Sequence, residues 1–196
     1  MFFIQAAAKR ITDWIVQGGG ISEKDREVYE FGLNNFLSTL TNFIIIACFG
    51  LLLGIFLQTI VFYLAYFMLR IYAGGYHADN PLVCFFVSIF ILIPCLLAIS
   101  FQELWNISVV FFVLLAVGIA VLIALAPVEN KNKILDALEK VVYRRRLLRN
   151  LTIASLIAVA LFVFSFYDYS AAILCGILLS AAIVVAGKVK LSLQGL

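Results

Sequence analysis

Arg70-Ile71-Tyr72-Ala73-Gly74-Gly75-Tyr76-His77-Ala78-Asp79-Asn80-Pro81-Leu82-Val83-Cys84 is a polar island between two long apolar runs. It contains the only histidine of the chain, two adjacent glycines, and a cysteine seven residues after the histidine. Asn80-Pro81 reads as a helix start, because Pro suits the first helical position and Asn or Asp before it can cap. The residue before a proline is also pushed out of helical angles. The spacing predicts a helix from Pro81 to about Ser100, kinked at Pro94, with Cys84 in its first turn. There the positive end of the helix dipole favours a thiolate. An unbroken helix over 77–84 would hold His77 and Cys84 about 10 Å apart along the axis. A break at Asn80-Pro81 lets the Gly74-Gly75 loop fold back and bring imidazole to sulfur, the usual route to a nucleophilic thiol. The competing reading is a solvated His77 and an inert apolar-helix Cys84. One His and one nearby Cys fall short of zinc's three or four ligands, so neither a metal nor another cofactor is expected.

Working outward, composition fixes the class. At 65% hydrophobic and 13% charged, the chain departs from the soluble norm of about 45–50% apolar and 25% charged. An all-α integral membrane protein is expected, a single domain over residues 1–196 with about six spans of roughly 20 residues. The spans are expected near Glu30–Leu53, Leu57–Tyr72, Pro81–Ser100, Ile107–Leu125, Asn150–Tyr167 and Ser170–Gly187. Asn34, Asn35, Ser38, Thr39, Thr41 and Asn42 in the first span should face other helices. Tyr167-Asp168-Tyr169 is expected as an outer turn. Cys48, Cys84, Cys95 and Cys175 are scattered, with no disulfide framework. Lys9-Arg10 follows the first apolar residues rather than preceding them, so no cleavable signal peptide is expected.

Two amphipathic segments flank the spans. In residues 1–30, Ile4, Ala7, Ala8, Ile11, Trp14 and Ile15 recur at helical spacing, with Gln5, Lys9, Thr12 and Asp13 off the stripe. This predicts an interfacial helix ended by Gly18-Gly19-Gly20, then a second start at Ser22 and Asp25. In residues 127–150, a basic cytoplasmic loop-helix is expected, with Ile134, Leu135, Leu138, Val141 and Val142 at helical spacing. Seven of the 14 Lys and Arg fall there, which suits either anionic lipid or an acidic segment of substrate.

Orientation follows from charge. With six spans, all 14 Lys and Arg lie on the side shared by both termini and the 70–80 loop. The positive-inside rule makes that side cytoplasmic. Merging Phe43–Leu69 into one crossing would separate Lys9, Arg10, Lys24 and Arg26 from the rest, and is rejected.

Arg70, Gly74, Gly75, His77 and Cys84, in this order and spacing, resemble the signature of the accessory gene regulator B (AgrB) family. The chain length, the basic loop and Ala126-Pro127 at its start are also similar. The resemblance implies a cell-membrane cysteine endopeptidase that matures quorum-sensing peptides, with Cys84 as nucleophile and His77 as base. Arg70 and Gly75 match positions needed for activity, and Gly74 accompanies them in substrate binding or structural support. Arg70 either binds an acidic tail of the substrate or pairs with Asp79. The partners implied are an AgrD-like precursor peptide, the lipid bilayer and a second copy of the chain; no nucleic acid is expected. Asp79-Asn80 departs from the basic or hydroxyl residue common after the His-Ala step. A non-enzymatic transporter or assembly factor is the alternative. Against it, the chain shows no internal repeat and no ionisable residue deep in a span.

Overall fold

The computed structural model describes residues 2–76, 81–104, 107–129 and 136–193. Among them are seven α-helices: α1 (Phe2–Gln17), α2 (Arg26–Leu52), α3 (Phe56–Ala73), α4 (Pro81–Ser100), α5 (Ser108–Leu125), α6 (Ala137–Val163) and α7 (Tyr167–Leu193). Short 3-10 turns at Glu23–Asp25 and Gln102–Leu104 lead into α2 and out of α4. The described residues form no strand beyond an isolated parallel bridge between Gly74 and Val128. The helices α2, α3, α5, α6 and α7 are long and apolar enough to cross a bilayer, and α4 adds the apolar stretch Phe86–Ser100. The molecule is an all-α, multi-pass membrane protein.

The spans α2 to α5 begin and end within a few residues of expectation. Gly54, at φ 72°, makes the turn between α2 and α3. Pro81 opens α4, and Pro94 sits inside it without ending it. α1 is helical and stops before Gly19, at φ 72°. The side it turns to the protein includes a residue off the expected apolar stripe, while Trp14, expected at the membrane interface, stays exposed. Thr12, placed on the polar side by its chemistry, is fully buried, whereas Trp14 is 76% exposed. The Thr12 hydroxyl donates to the Ala8 carbonyl at 2.9 Å. That bond satisfies its polarity within the helix, so Ala8 and Thr12 together form a smooth surface against α2.

The C-terminal third needs two corrections. No boundary occurs near Asn150. α6 runs unbroken from the basic segment into the apolar one, so the expected surface helix and fifth span are one element. Asp136 and Glu139 start it with a reciprocal capping box, Asp136 Oδ1 accepting from the Glu139 N–H at 2.6 Å. No Gly or Pro interrupts residues 137–163, and backbone hydrogen bonding does not register the change of polarity. At 27 residues α6 is about 40 Å long, so its basic half extends past a hydrocarbon core of about 30 Å. The second correction concerns Tyr167-Asp168-Tyr169, which is the first turn of α7. The reversal lies at Phe164–Phe166, with Ser165 at φ 65°. Lys188 and Lys190 are helical, not a tail.

α7 is the hub. It packs against α3, α4, α5 and α6 and is mostly buried, whereas fewer than a third of the residues in the apolar windows of α2, α3, α5 and α6 are buried. Small residues permit this: Ser170, Ala171, Ala172, Gly176, Ser180 and Ala181 are all buried. A Cβ on Gly176 would lie 3.0 Å from the Tyr66 amide nitrogen and 3.1 Å from the Phe62 carbonyl of α3. Polar ties lock the register. Ser170 Oγ donates to the Ala158 carbonyl at 3.0 Å, Asn150 Nδ2 to the Met68 carbonyl at 3.1 Å, and Gln102 Nε2 to Asp168 Oδ1 at 2.8 Å. In α2, Thr39 and Thr41 instead bond back to carbonyls of their own helix. This bundle brings the ends of α3, α5 and α7 and the start of α6 together at one pole, which the site occupies.

Candidate active site

The site begins where α3 stops. Gly74 (φ 67°, ψ −143°) and Gly75 (φ 109°) turn the chain through left-handed angles that favour glycine. Space is as tight as the dihedrals are unusual. A Cβ on Gly74 would lie 2.0 Å from the Val128 carbonyl oxygen, and one on Gly75 2.7 Å from the Ile183 carbonyl oxygen.

Three elements grip this turn. From the segment after α5, the Val128 N–H donates to the Ala73 carbonyl at 2.9 Å, and the Gly75 N–H donates back to the Val128 carbonyl at 3.2 Å. From α7, the Ile183 carbonyl accepts the Tyr76 N–H at 3.0 Å. From α3, Arg70 spans the loop: one guanidinium nitrogen donates to the Gly74 carbonyl and the other to the Tyr76 carbonyl at 2.8 Å. The positive side chain also sits in the last turn of α3, where the helix dipole favours it.

Basic and aromatic side chains surround the grip. Arg144 donates to the Ala126 and Ile123 carbonyls at 3.2 and 3.1 Å, closing the end of α5. The guanidinium of Arg146 lies 5.9 Å from the Tyr72 ring centre, and Tyr72 meets Tyr143 edge-on at 5.7 Å. Lys190 of α7 lies 5.2 Å from the Tyr76 ring centre. The chain after Tyr76 therefore leaves a fixed, cationic platform. Pro81 then opens α4, and the backbone of Cys84 falls in its first turn.

The structure thus brings Arg70 onto the loop that Gly74 and Gly75 form, a partner that the sequence did not indicate. His77, Asp79 and Asn80 lie outside the described residues, as does the side chain of Cys84. Cys95 and Cys175 belong to a packed apolar cluster between helices, and Cys48 is exposed near the end of α2. Among the described residues no three His, Cys, Asp or Glu side chains converge to hold a metal.

The family described as accessory gene regulator B matches this chain across residues 8–185. The chain belongs to the AgrB family. It is 28% identical over 135 residues to a putative AgrB-like protein of Clostridium perfringens (strain SM101 / Type A), a match covering 66% of this chain and 63% of that one. Accessory gene regulator protein B of Staphylococcus saprophyticus is 31% identical over 103 residues, covering 52% and 50%. The protein of the same name from Staphylococcus carnosus is 36% identical over 78 residues, covering 37% and 41%. The chain thus spans less than two thirds of the length of these relatives. No solved structure is significantly similar.

Sequence reasoning missed the partners of the loop. Val128, Ile183, Gly187 and Lys190 contact it from 50 residues or more away, and a backbone carbonyl such as that of Ile183 leaves no side-chain signal. Gly187 did leave one. A glycine inside a helix costs about 1 kcal/mol relative to alanine, so it flags a candidate close approach, although Gly32 in α2 has nothing within 4 Å of its Cβ position.

Proposed function

We propose that this chain is a membrane cysteine endopeptidase that cleaves an AgrD-like precursor peptide at the inner leaflet. His77 takes the proton of Cys84, and the thiolate sulfur attacks the scissile carbonyl. The C–N bond breaks, the leaving amine takes the proton back from His77, and a thioester joins Cys84 to the N-terminal fragment. An internal thiol or hydroxyl of that fragment then attacks the thioester. This closes a thiolactone or lactone and returns the Cys84 thiol. A tethered nucleophile has a high effective concentration, and a partly dry site holds back competing water.

The observation that carries this reading is the three-sided grip on the Arg70–Tyr76 loop, which ends at the residue before His77; the next helix along the chain carries Cys84 in its first turn. A loop bound to three separate elements is what a catalytic base needs to keep one position. Family membership supports the same chemistry. The cationic pole suits an acidic segment of the precursor. On this reading the pole is cytoplasmic, as are both termini, and apolar helix faces such as Phe86 and Phe90 of α4 meet lipid or a second copy of the chain.

The test uses full-length protein in lipid with a precursor peptide, comparing wild type, Cys84→Ala and His77→Ala by mass spectrometry of the products. Wild type should shorten the peptide and release an N-terminal fragment lighter by one water than the linear form. Both variants should fall by at least a thousandfold, as loss of a nucleophile or its base does. Equal processing by all three proteins would overturn the reading and favour transport or scaffolding.

A further inference from the structure

Gly187 lies on α7 beyond the family match, which ends at residue 185. A Cβ there would lie 2.6 Å from the Gly75 carbonyl carbon, 2.7 Å from the Gly75 Cα and 2.7 Å from the Tyr76 amide nitrogen. All three are backbone atoms, so none can step aside by changing rotamer. In a helix each Cβ tilts toward the N-terminus and covers the turn before it. A side chain at 187 would therefore cover the Ile183 carbonyl, four residues earlier. With glycine at 187, that carbonyl stays open and accepts the Tyr76 N–H at 3.0 Å. One turn further along, Lys190 lies over the ring of Tyr76. The same residue is thus held through its backbone by Ile183 and through its ring by Lys190, and the next residue is His77.

We infer that the C-terminal end of α7, through the notch at Gly187 and the cation of Lys190, fixes the backbone and ring of Tyr76, the residue next to the base of the proposed reaction, and that turnover depends on this hold. The inference rests on the His77–Cys84 reading proposed above. Gly187 and Lys190 are positioning residues that act through the 74–76 backbone and the Tyr76 ring. Gly187→Ala pushes the loop off α7 by the shortfall in contact distance, roughly 1 Å. A misplacement of that size costs about a hundredfold in turnover. Lys190→Met removes the cation from the Tyr76 ring and should cost about two- to fivefold, the worth of one exposed cation–aromatic contact. Lys190→Arg should restore it.

The experiment reads two quantities on full-length protein in lipid: peptide turnover, and the rate of Cys84 alkylation by iodoacetamide as a function of pH, mapped by mass spectrometry. A correctly placed imidazole holds the thiolate at lower pH than an ordinary thiol allows. Wild type should therefore alkylate with a midpoint below that of His77→Ala. Gly187→Ala should keep wild-type helicity and move to the His77→Ala profile, with turnover down about a hundredfold and KM nearly unchanged. Lys190→Met should move part of the way, and Val189→Ala on the same turn should not move. A wild-type alkylation profile in Gly187→Ala overturns the inference. Should Gly187→Ala not fold, a wild-type profile and turnover in Lys190→Met overturns it instead. Identical profiles in wild type and His77→Ala mean that the dyad itself is wrong, a separate failure from that of the notch.

Discussion

Arg70 offers its N–H groups to two carbonyls, those of Gly74 and Tyr76, and so bridges the loop that α3 ends in. A planar guanidinium can fork in this way, whereas an ammonium presents one charged centre. Arg70→Lys should keep the fold and lower peptide turnover roughly ten- to hundredfold, from a loss of about 1.5–3 kcal/mol for one charge-assisted bond. Turnover in lipid checks this; an unchanged rate would mean that the second bond is idle. At this scale the sequence was informative where chemistry is local. Gly74 and Gly75 announced a loop, Asn80-Pro81 a helix start, and Cys84 its place in the first turn. The role of Arg70 was narrowed only to an acidic tail of the substrate or Asp79. The backbone carbonyls it reaches carry no sequence signature. Thr12 shows the same blindness in reverse: a hydroxyl that bonds to its own helix buries as readily as an alanine.

Elements were legible where polarity and helix breaks coincide, as at Gly18-Gly19-Gly20 and Pro81. They were misread where the two part company. In α6 the change from basic to apolar side chains falls in mid-helix, and the signal that does mark its start, Asp136 with Glu139 three residues on, is a capping box. α7 reads by hydropathy as one span among six, because lipid and protein neighbours are equally apolar. Its run of small residues was the distinguishing mark. Gly176 lets α7 lie close against α3, with Phe62, Ala65 and Tyr66 against it. Gly176→Leu should force α3 and α7 apart and destabilise the bundle by about 1–3 kcal/mol or more, seen as a fall in Tm in detergent. Leu193→Ala, at a position 83% exposed, should leave Tm unchanged. A Gly176→Leu protein as stable as wild type would contradict the packing described for α7.

At the scale of the whole molecule, helix ends alternate between two poles. Arg70, Arg144, Arg146 and Lys190 gather at one, and Gln102 and Asp168 pair at the other. The distribution of charge could be read from the sequence because the positive-inside rule counts residues and ignores packing. Which cationic groups reach the loop could not, because that depends on how α6 and α7 cross. If the basic pole faces the cytoplasm, Glu103→Cys should react with a membrane-impermeant maleimide added outside intact cells, and Lys188→Cys should react only after permeabilisation, each in a background with Cys48 replaced by Ser. The opposite pattern would invert the molecule and remove an inner-leaflet site.

Most direct is the covalent intermediate. Full-length protein in lipid, mixed briefly with precursor peptide and quenched in acid, should gain the mass of the N-terminal peptide fragment. The gain should map to the peptide containing Cys84, be released by hydroxylamine as a thioester is, and be absent from Cys84→Ala. Cleavage at the wild-type rate by Cys84→Ala, or an adduct on Cys48, Cys95 or Cys175 instead, would contradict the assignment of Cys84 as the nucleophile.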